Sequence, residues 1–531
     1  MRSTFHSLEI AKRSLFTQQA ALSTTGHNIA NANTQGYSRQ VVNMTAARPI
    51  EAPGMMRSNA PGQLGMGVEF TSITRVREKF LDDQFRNENK TMGNWTIQKN
   101  TLEKLETIIS EPSETGIRTV LDNFWKSWSD LSKDPENITG RKVVRENAKA
   151  LTDAFNQASK QLAALKDDLT ENIDVKARHA NTLVTQISNL NKEIQRIEGL
   201  GDDANDLRDQ RDQLTDELSG IANIKVVEQA DGYSITMGTT ILVSGGTPTS
   251  INSAIWEDAY SSGQLTDGEV YGMIHSRDKL VADYQSQMDT LANSLATGET
   301  EITLPEGSVL PDNTTLLVVA ADGTRSAATF SGAARTIPAG GIKVVVNGIN
   351  GLHQLGYNFN DPVETGKPFF ESKFGGVITA GNIQLNASID ADPSLIATSM
   401  RTAVNSLGKE LTVKGNNQLA LSISQLNAAS FQYKNGASNA LIQKGTISDF
   451  FRSVVGQLGV QSSEAGRQQT NQKALVDQID ARRMSVSGVS LDEETANMIK
   501  FQHAYNASAR VMTTMDEILD KVINSMGIVG R

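Results

Sequence analysis

The sequence predicts a mainly α-helical chain of several domains that carries β-rich insertions. Hydrophobic residues make up 38% of the chain but aromatic residues only 5%. The core must therefore come mostly from Leu, Ile, Val, Met and Ala, an inventory that suits long helices. At roughly 150 residues per domain, the 531 residues correspond to three or four domains.

The first thirty residues predict a helix with a narrow apolar seam. Its seam residues stand seven positions apart and are Leu8, Leu15, Leu22 and Ile29. Uncharged polar residues flank this seam, so the helix would be weak alone and needs a partner. The helix should end in the Asn-rich run 28–33, because Asn competes with helical hydrogen bonding and Gly36 can supply a positive φ.

The middle of the chain alternates between helical and strand-like patterns. Residues 38–75 predict an extended connector that runs into a short strand. Apolar spacing and the positions of Pro and Gly then predict helices over 75–109 with an interruption at Gly93, 120–131, 151–197 with a stutter near Asp174, 205–214 and 270–295. A period of two predicts a β-hairpin near 224–244 and a small β insertion over 297–345.

Helix returns after Gly445, with an interruption at 485–488, and the last stretch has the most regular apolar pattern of the chain. Its heptad positions are Met498, Phe501, Tyr505, Ser508, Met512, Met515, Leu519, Val522 and Met526. Narrow seams at both ends of a long chain are unlike ordinary core-facing surfaces, so we expect the two terminal helices to pair. Subunits packed around an axis could cover the remaining surface.

Catalytic signatures are absent from the sequence. It contains no Cys, none of the common nucleotide-binding, zinc-protease or serine-hydrolase motifs, and no pair of His at metal-ligand spacing. Gly62, Gly65 and Gly67 precede a strand, whereas a phosphate-binding loop would follow one. The acidic run 202–212 lacks the Gly and Glu of a calcium loop, so we interpret it as a solvated helix face. The sequence thus predicts no catalytic residue, metal or cofactor.

The charge balance and hydropathy exclude further classes. The formal net charge is −10 and the pI about 5.3, which argues against a nucleic-acid partner. The longest apolar run, Leu316–Ala321, is far too short to cross a bilayer. Charged residues interrupt the N-terminal apolar residues, so we expect neither membrane insertion nor a cleaved signal peptide.

Two terminal signatures resemble those of the flagellar axial proteins, the rod, hook and hook-associated subunits. The first comprises Asn28, Ile29, Ala30, Asn31, Ala32, Asn33, Thr34, Gly36 and Tyr37, and the second lies between Phe501 and Leu519. Within this family the chain is similar to the first hook-associated subunits, which sit at the hook–filament junction. That similarity lies at 204–214, 352–358 with 369–370, 415–421 and 487–494, whereas the insertion 297–345 departs from the family pattern.

The resemblance implies a secreted structural protein of the bacterial flagellum. It implies export by the flagellar type III system, a position at the hook–filament junction, and assembly through the two terminal seams. The implied partners are the hook protein, the second junction protein (hook-associated protein 3), further copies of the chain in a ring, and an export chaperone that binds the C-terminal helix. Another axial subunit, such as a distal rod or hook protein, is the alternative, and a secreted enzyme with flagellar ends is a more distant one.

The predicted organisation is discontinuous. Residues 1–36 with 490–531 would form a coiled-coil-like axial domain. Residues 37–296 with 400–489 would form a helical bundle that includes the hairpin near 224–244. Residues 297–399 would form the outermost, β-rich domain, and we expect the insertion 297–345 to be dispensable for folding.

Overall fold

The computed structural model describes residues 5–49, 65–109, 116–360, 362–433 and 441–525. The chain forms two compact units. Unit 1 comprises Met1–Trp95, Ile173–Gly272 and Gln468–Arg531, and unit 2 comprises Thr96–Asn172 and Met273–Arg467.

Helices dominate the described residues, as the sequence predicts. They are α1 (His6–Ala30), α2 (Lys79–Ile109), α3 (Ile117–Leu131), α4 (Ile138–Glu198), α5 (Asn205–Ile221), α6 (Ser253–Ser261), α7 (Glu269–His275), α8 (Ala282–Thr297), α9 (Gly348–His353), α10 (Ala387–Ala391), α11 (Gln418–Gln425), α12 (Ile447–Ser487) and α13 (Leu491–Asp520). A π-helical turn, Ser276–Val281, joins α7 to α8, and a second one, Lys521–Ser525, follows α13.

The strands are short and antiparallel. They are β1 (Gln40–Ala46), β2 (Val68–Arg75), β3 (Lys225–Gln229), β4 (Gly232–Met237), β5 (Thr240–Ser244), β6 (Thr247–Pro248), β7 (Glu299–Leu304), β8 (Thr314–Val319), β9 (Arg325–Phe330), β10 (Ile342–Asn347), β11 (Phe370–Ser372), β12 (Ile383–Leu385), β13 (Thr402–Val404), β14 (Glu410–Thr412), β15 (Phe431–Gln432) and β16 (Lys444–Gly445). The predicted hairpin near 224–244 corresponds to the first strands of the meander β3-β4-β5-β6.

Unit 1 contains both terminal helices. Helix α1 packs against α13 and against the β1–β2 pair. The predicted connector over 38–75 is therefore more ordered than expected, because its two ends pair as strands along α1 and gain partners for their backbone groups. Residues 50–64, including the glycine at 62, lie outside the described residues.

Unit 2 has an aromatic core. Trp128 and Phe124 of α3 are buried against Phe369 and Phe370, with ring centroids 5.4 Å apart for Trp128 and Phe369. Segments 352–358 and 369–370, which carry part of the family resemblance, thus contribute to this core. His353 is wholly buried in the same cluster.

One predicted helix break does not occur. Helix α2 runs through Gly93, because the glycine serves close packing and not termination: a Cβ there would lie 2.5 Å from the carbonyl oxygen of Gly220 on α5. Helix α4 is a single helix across the predicted stutter near Asp174, and the neighbouring Ile173 is buried.

The insertion 297–345 is a β structure, as predicted, but it is not an appendage. It contributes β7, β8, β9 and β10 to a six-stranded sheet of order β16-β15-β7-β10-β8-β9. Strand β7 pairs with β15, where Phe431 is fully buried opposite Thr300. We therefore limit the expectation of dispensability to the outer hairpin β8–β9.

Candidate assembly interface

The terminal helices form an antiparallel pair within unit 1. The hydroxyls of Ser14 and Ser508 are 2.7 Å apart. The Asn28 amide donates to the Glu494 carboxylate at 3.1 Å. The two contacts are fourteen residues apart on each helix, and the later position on α1 contacts the earlier position on α13. They therefore define both the direction and the register of the pair.

The structure places the predicted seam residues along this pair. The half-buried ones are Leu8, Leu15, Leu22 and Ile29 on α1 and Met498, Phe501, Tyr505, Met512, Met515 and Leu519 on α13. Val522 is exposed, and Met526 lies outside the described residues. An assembly role for this seam stays a prediction.

The fully buried face of α1 consists of small residues, most of them polar, and contains no leucine. Its residues are Ala11, Thr17, Ala21, Thr24, Thr25 and Asn28. Thr17 donates to the Val68 carbonyl of β2 at 3.4 Å, so part of this face lies against the strand pair. Sequence periodicity pointed to the leucines because small polar residues give no apolar signal.

Helix α13 leaves apolar side chains exposed: Ile499, Val511 and Ile518 each retain about half of their accessible surface. Val511 and Ile518 stand seven residues apart on one face of the helix and form an exposed apolar row, whereas Ile499 lies on a different face. Phe5 and Phe16 are similarly exposed at the N-terminal end of the chain. Exposed apolar residues grouped along a helix pair are typical of surfaces that are covered by another chain.

Asn28 is the centre of the N-terminal motif. Its amide nitrogen donates to the Gln40 carbonyl at 2.9 Å, and its amide oxygen accepts from the Gln40 N–H at 3.0 Å. The same oxygen accepts from the Tyr37 hydroxyl at 2.7 Å. Burial, and then the charges of Asp206, Asp209 and Glu494, raise the pKa of Tyr37, so its hydroxyl stays protonated as a donor.

The remaining motif residues form the turn after α1. Thr34 donates through its hydroxyl to the Asn31 side chain and through its N–H to the Asn31 carbonyl. Gly36 has φ +82°, a conformation that favours glycine, and packs on Gln213. The motif residues on the turn surface are Ala30, Asn33 and Thr34, which are exposed, and Ile29 and Ala32, which are half-buried.

A buried ion-pair cluster ties the segment after this motif to the middle of unit 1. Helix α5 presents Asp209, Asp212 and Asp216 on one face. Arg75 donates to Asp209 at 2.6 Å and to Asp212 at 2.9 Å. Arg86 donates to Asp216 at 2.7 Å.

The cluster extends to three other segments of unit 1. Arg483 of α12 contacts Asp82 at 3.1 Å and Asp216 at 2.7 Å. Arg77 pairs with Asp82 at 2.7 Å. The Ser38 N–H and hydroxyl each donate to Asp209 at 2.8 Å. Segments from both ends of the chain thus converge on α5.

Asp212 is ionised at the centre of this cluster. Burial alone would raise its pKa, but the positive charges of Arg77, Arg75 and Arg86 outweigh burial and hold the pKa of Asp212 far below its usual range. The Tyr233 hydroxyl donates to the same carboxylate at 2.5 Å. Burial and this carboxylate raise the pKa of Tyr233 to about 12.

This cluster corrects the interpretation of the acidic run as a solvated face. Asp202, Asp203 and Asp206 are not buried, but Asp209 and Asp212 are, because arginines from outside the helix neutralise them. Arg211 of the same helix is also buried and stacks on the Tyr233 ring at 3.5 Å. Sequence analysis missed the site, although the Asp spacing on one helix face was a usable signal.

Metal and membrane functions gain no support from the described part of the chain. Among these residues no group of three or more His, Asp or Glu side chains has the geometry to hold a metal ion. None of the described helices combines the length and apolarity needed to span a bilayer.

Comparison with known protein families defines the class. Residues 8–37, which hold most of α1 and its motif, match the family described as "Flagella basal body rod protein". Residues 481–526, which hold α13, match "Flagellar basal body rod FlgEFG protein C-terminal". The paired ends are thus those of a flagellar axial protein.

The rest of the chain defines the family. Residues 102–301 match "Flagellar hook-associated protein FlgK helical domain". The chain is 33% identical to flagellar hook-associated protein 1 of Bacillus subtilis (strain 168), with 100% of both chains covered. It is 24% identical to the protein of the same name from Salmonella typhimurium, over 97% of this chain and 98% of that one. The chain belongs to the flagellar hook-associated protein 1 family, and is a structural protein of the flagellum, not an enzyme.

A solved structure has a related fold. The flagellar hook junction protein FlgK from Burkholderia pseudomallei aligns with a TM-score of 0.50 at 15% identity, covering 76% of this chain and 100% of that one. The likeness supports the predicted mainly α-helical, multidomain fold class with several small sheets.

Proposed function

We propose that the chain is the subunit that joins hook to filament, and that it assembles through its paired terminal helices. The observation that carries this proposal is the α1–α13 pair, which coincides with the two segments matched by the rod families. The exposed apolar row of Val511 and Ile518 gives this pair a surface on which another subunit can pack.

In the assembled flagellum the chain would be organised as three parts. Residues 1–36 with 490–531 would pack around the axis of the flagellum. Residues 37–296 with 400–489 would form the helical bundle, and residues 297–399 the outer β-rich part. Burying apolar row residues between subunits would contribute roughly 25 cal/mol per Å², so several such contacts around a ring would stabilise the assembly.

The partners follow from this position. The hook protein would lie on one side, and the second junction protein, hook-associated protein 3, on the other, with further copies of the chain beside it in the ring. Before assembly, the apolar row on α13 would need protection during type III export, and an export chaperone that binds this helix would supply it.

Labelled electron microscopy tests the position. A short tag placed in the turn at 320–324, which connects the outer strands β8 and β9 and is mostly exposed, can be labelled with gold on isolated flagella. The label should appear as a single band where hook meets filament. Label along the filament, or at the base of the hook, would contradict the proposal.

A further inference from the structure

Heptad patterns alone do not fix the register of the terminal helix pair. Apolar residues recur every seven positions on both helices. Sliding one helix by seven residues would therefore again set apolar residues beside apolar residues. Something else must select one register.

One row of residues on each helix supplies the missing specificity. The row on α1 is Ser7, Ser14, Ala21 and Asn28, and the row on α13 is Met515, Ser508, Phe501 and Glu494. Two members of each row are hydrogen-bonded across the pair: Ser14 to Ser508, and Asn28 to Glu494. The register that they define sets Ala21 level with Phe501.

The two rows are complementary in this register. Polar residues meet polar residues at both hydrogen-bonded positions, and the small, buried Ala21 is level with a large aromatic residue. Glu494 has only 3% of its surface exposed, so its carboxylate depends on a protein donor.

A slip of seven residues destroys this match in either direction. In one direction Glu494 becomes level with Ala21, and Ser14 with Phe501. In the other, Asn28 becomes level with Phe501, and Glu494 passes beyond the end of α1. Both slips separate the Glu494 carboxylate from the Asn28 amide, and burying either group without a partner is strongly unfavourable.

Contacts of Arg39 with the end of α12 and the start of α13 support the same end of the pair. The Arg39 N–H donates to the Ser487 carbonyl at 2.8 Å, and the Arg39 guanidinium pairs with Glu493 at 2.8 Å. Asn28 is in turn paired with Gln40 on β1. The residues after the N-terminal motif thus position both partners of the Asn28–Glu494 contact.

We propose that Asn28 and Glu494, assisted by Ser14 and Ser508, are positioning residues that lock the terminal helices in one register. The apolar seam supplies attraction, and the polar pairs exclude the slipped alternatives. The inference rests on the proposed function only in that the aligned surface is the one used for assembly; the lock itself belongs to the single chain.

Disulfide trapping in the purified full-length chain tests the lock. The chain has no Cys, so each introduced pair is unique. Ser508→Cys is combined in turn with Ser14→Cys, which reports the observed register, and with Ser7→Cys or Ala21→Cys, which report the two slips. Mild oxidation should cross-link the Ser14 pair and leave the other two pairs largely reduced.

Removing the Asn28–Glu494 contact should shift cross-linking toward the slipped registers. With Glu494→Leu, the Ser7 or Ala21 pair should gain cross-linking at the expense of the Ser14 pair. Glu494→Gln, which keeps an acceptor for Asn28, should restore the preference for Ser14. Asp492→Leu, an equally apolar change at an exposed residue in the same first turn, should not alter the pattern.

Each result decides the inference. Exclusive Ser14 cross-linking in Glu494→Leu would overturn it, as would equal cross-linking of all three pairs in the parent chain. If Glu494→Leu abolishes all three cross-links, the partial variant Asn28→Ser decides: slipped cross-links support the lock, and an unchanged pattern overturns it. Assembly is scored separately by microscopy of flagella, so a working lock with no junction label would refute the proposed function alone.

Discussion

Arg483 of α12 donates to Asp216 of α5 at 2.7 Å, although 267 positions separate them in the sequence. Asp216 also accepts from Arg86 of α2. One carboxylate on α5 thus holds together an early and a late segment of unit 1. Charged contacts as well as apolar ones thus hold the helices of unit 1 together.

Asp212→Asn should destabilise unit 1 strongly. Asp212 is 1% exposed and is surrounded by Arg75, Arg77 and Arg86. Removing one partner from a buried ion-pair network leaves uncompensated charge and costs about 3–5 kcal/mol. Hydrogen exchange followed by mass spectrometry should show faster exchange in α5.

Asp203→Asn is the matched control for this change. It makes the same substitution at an exposed position shortly before α5, so the free energy of unfolding should change by no more than about 0.5 kcal/mol. Equal effects of the two substitutions would show that the buried cluster does not stabilise unit 1.

Unit 1 should lose stability in acid. Because the pKa of Asp212 is lowered in the folded chain, its contribution is fully present above the unfolded pKa of about 4 and is lost as the pH falls below it. Urea unfolding monitored by exchange of α5 from pH 6 to pH 2 should show this loss. The part due to Asp212 should be missing in Asp212→Asn.

The helix pattern was readable from the sequence, but the partners of the buried charges were not. Apolar spacing located α3 and the helix α13 because those positions face a partner helix or core. Asp209 and Asp212 look like surface residues in a linear sequence, since the arginines that bury them lie more than a hundred positions away. The charges come together only when the chain folds into its tertiary structure.

The same limit applies to several asparagines. Asn28 pairs with both backbone groups of Gln40, Asn191 accepts from the Tyr233 N–H and donates to its carbonyl, and Asn350 pairs likewise with Phe370. Each side-chain amide makes the two hydrogen bonds that the backbone of a neighbouring strand would otherwise make. Asn in a sequence predicts a turn or a helix end, so these pairs could not be foreseen.

Unit 2 should lose stability between pH 6.5 and pH 4 because of His353. Burial, together with the charge of Arg141, lowers its pKa from 6.5 to about 4, despite the hydrogen bond with the Lys367 carbonyl. The unfolded chain then binds more protons over this interval, so stability falls as the pH falls, by about 3 kcal/mol in total. Hydrogen exchange of α3, which lies in unit 2, followed in urea by mass spectrometry reports the transition.

His353→Gln isolates this contribution. The variant loses the titrating ring, so its own stability should depend less on pH between 6.5 and 4 than that of the parent chain, although it will be lower at neutral pH. An identical pH dependence in both chains would show that other groups cause it.

Excising the outer hairpin should be tolerated, whereas excising the whole insertion should not. Replacing 314–330 by a short Gly-Ser bridge removes only β8 and β9, at one end of the sheet. Removing 297–345 also takes β7 and β10, with the buried Val344 and Val346, and leaves Phe431 paired on one side only, with β16. Hydrogen exchange should show that α3 in unit 2 stays protected for the first deletion only; protection in both would mean that the inner strands are dispensable.

Substitutions on α13 should separate assembly from folding. Ile518→Asp and Val511→Asp place a charge on the exposed apolar row, so the free energy of unfolding of the single chain should change by less than about 0.5 kcal/mol. A subunit packing on this row would bury that charge without a partner. Cells carrying either variant should build hooks, export the protein in soluble form and release flagellin into the medium.

Two further substitutions calibrate this result. Thr513→Asp introduces the same charge at an exposed polar residue on the opposite face of the same helix, and motility should be close to normal. Met515→Asp changes a half-buried seam residue of the α1–α13 pair, so it should both weaken the pair and block assembly. If Ile518→Asp leaves filament growth intact while Met515→Asp abolishes it, the exposed row is not the contact surface. The half-buried seam would then be required, through the pairing of the two terminal helices.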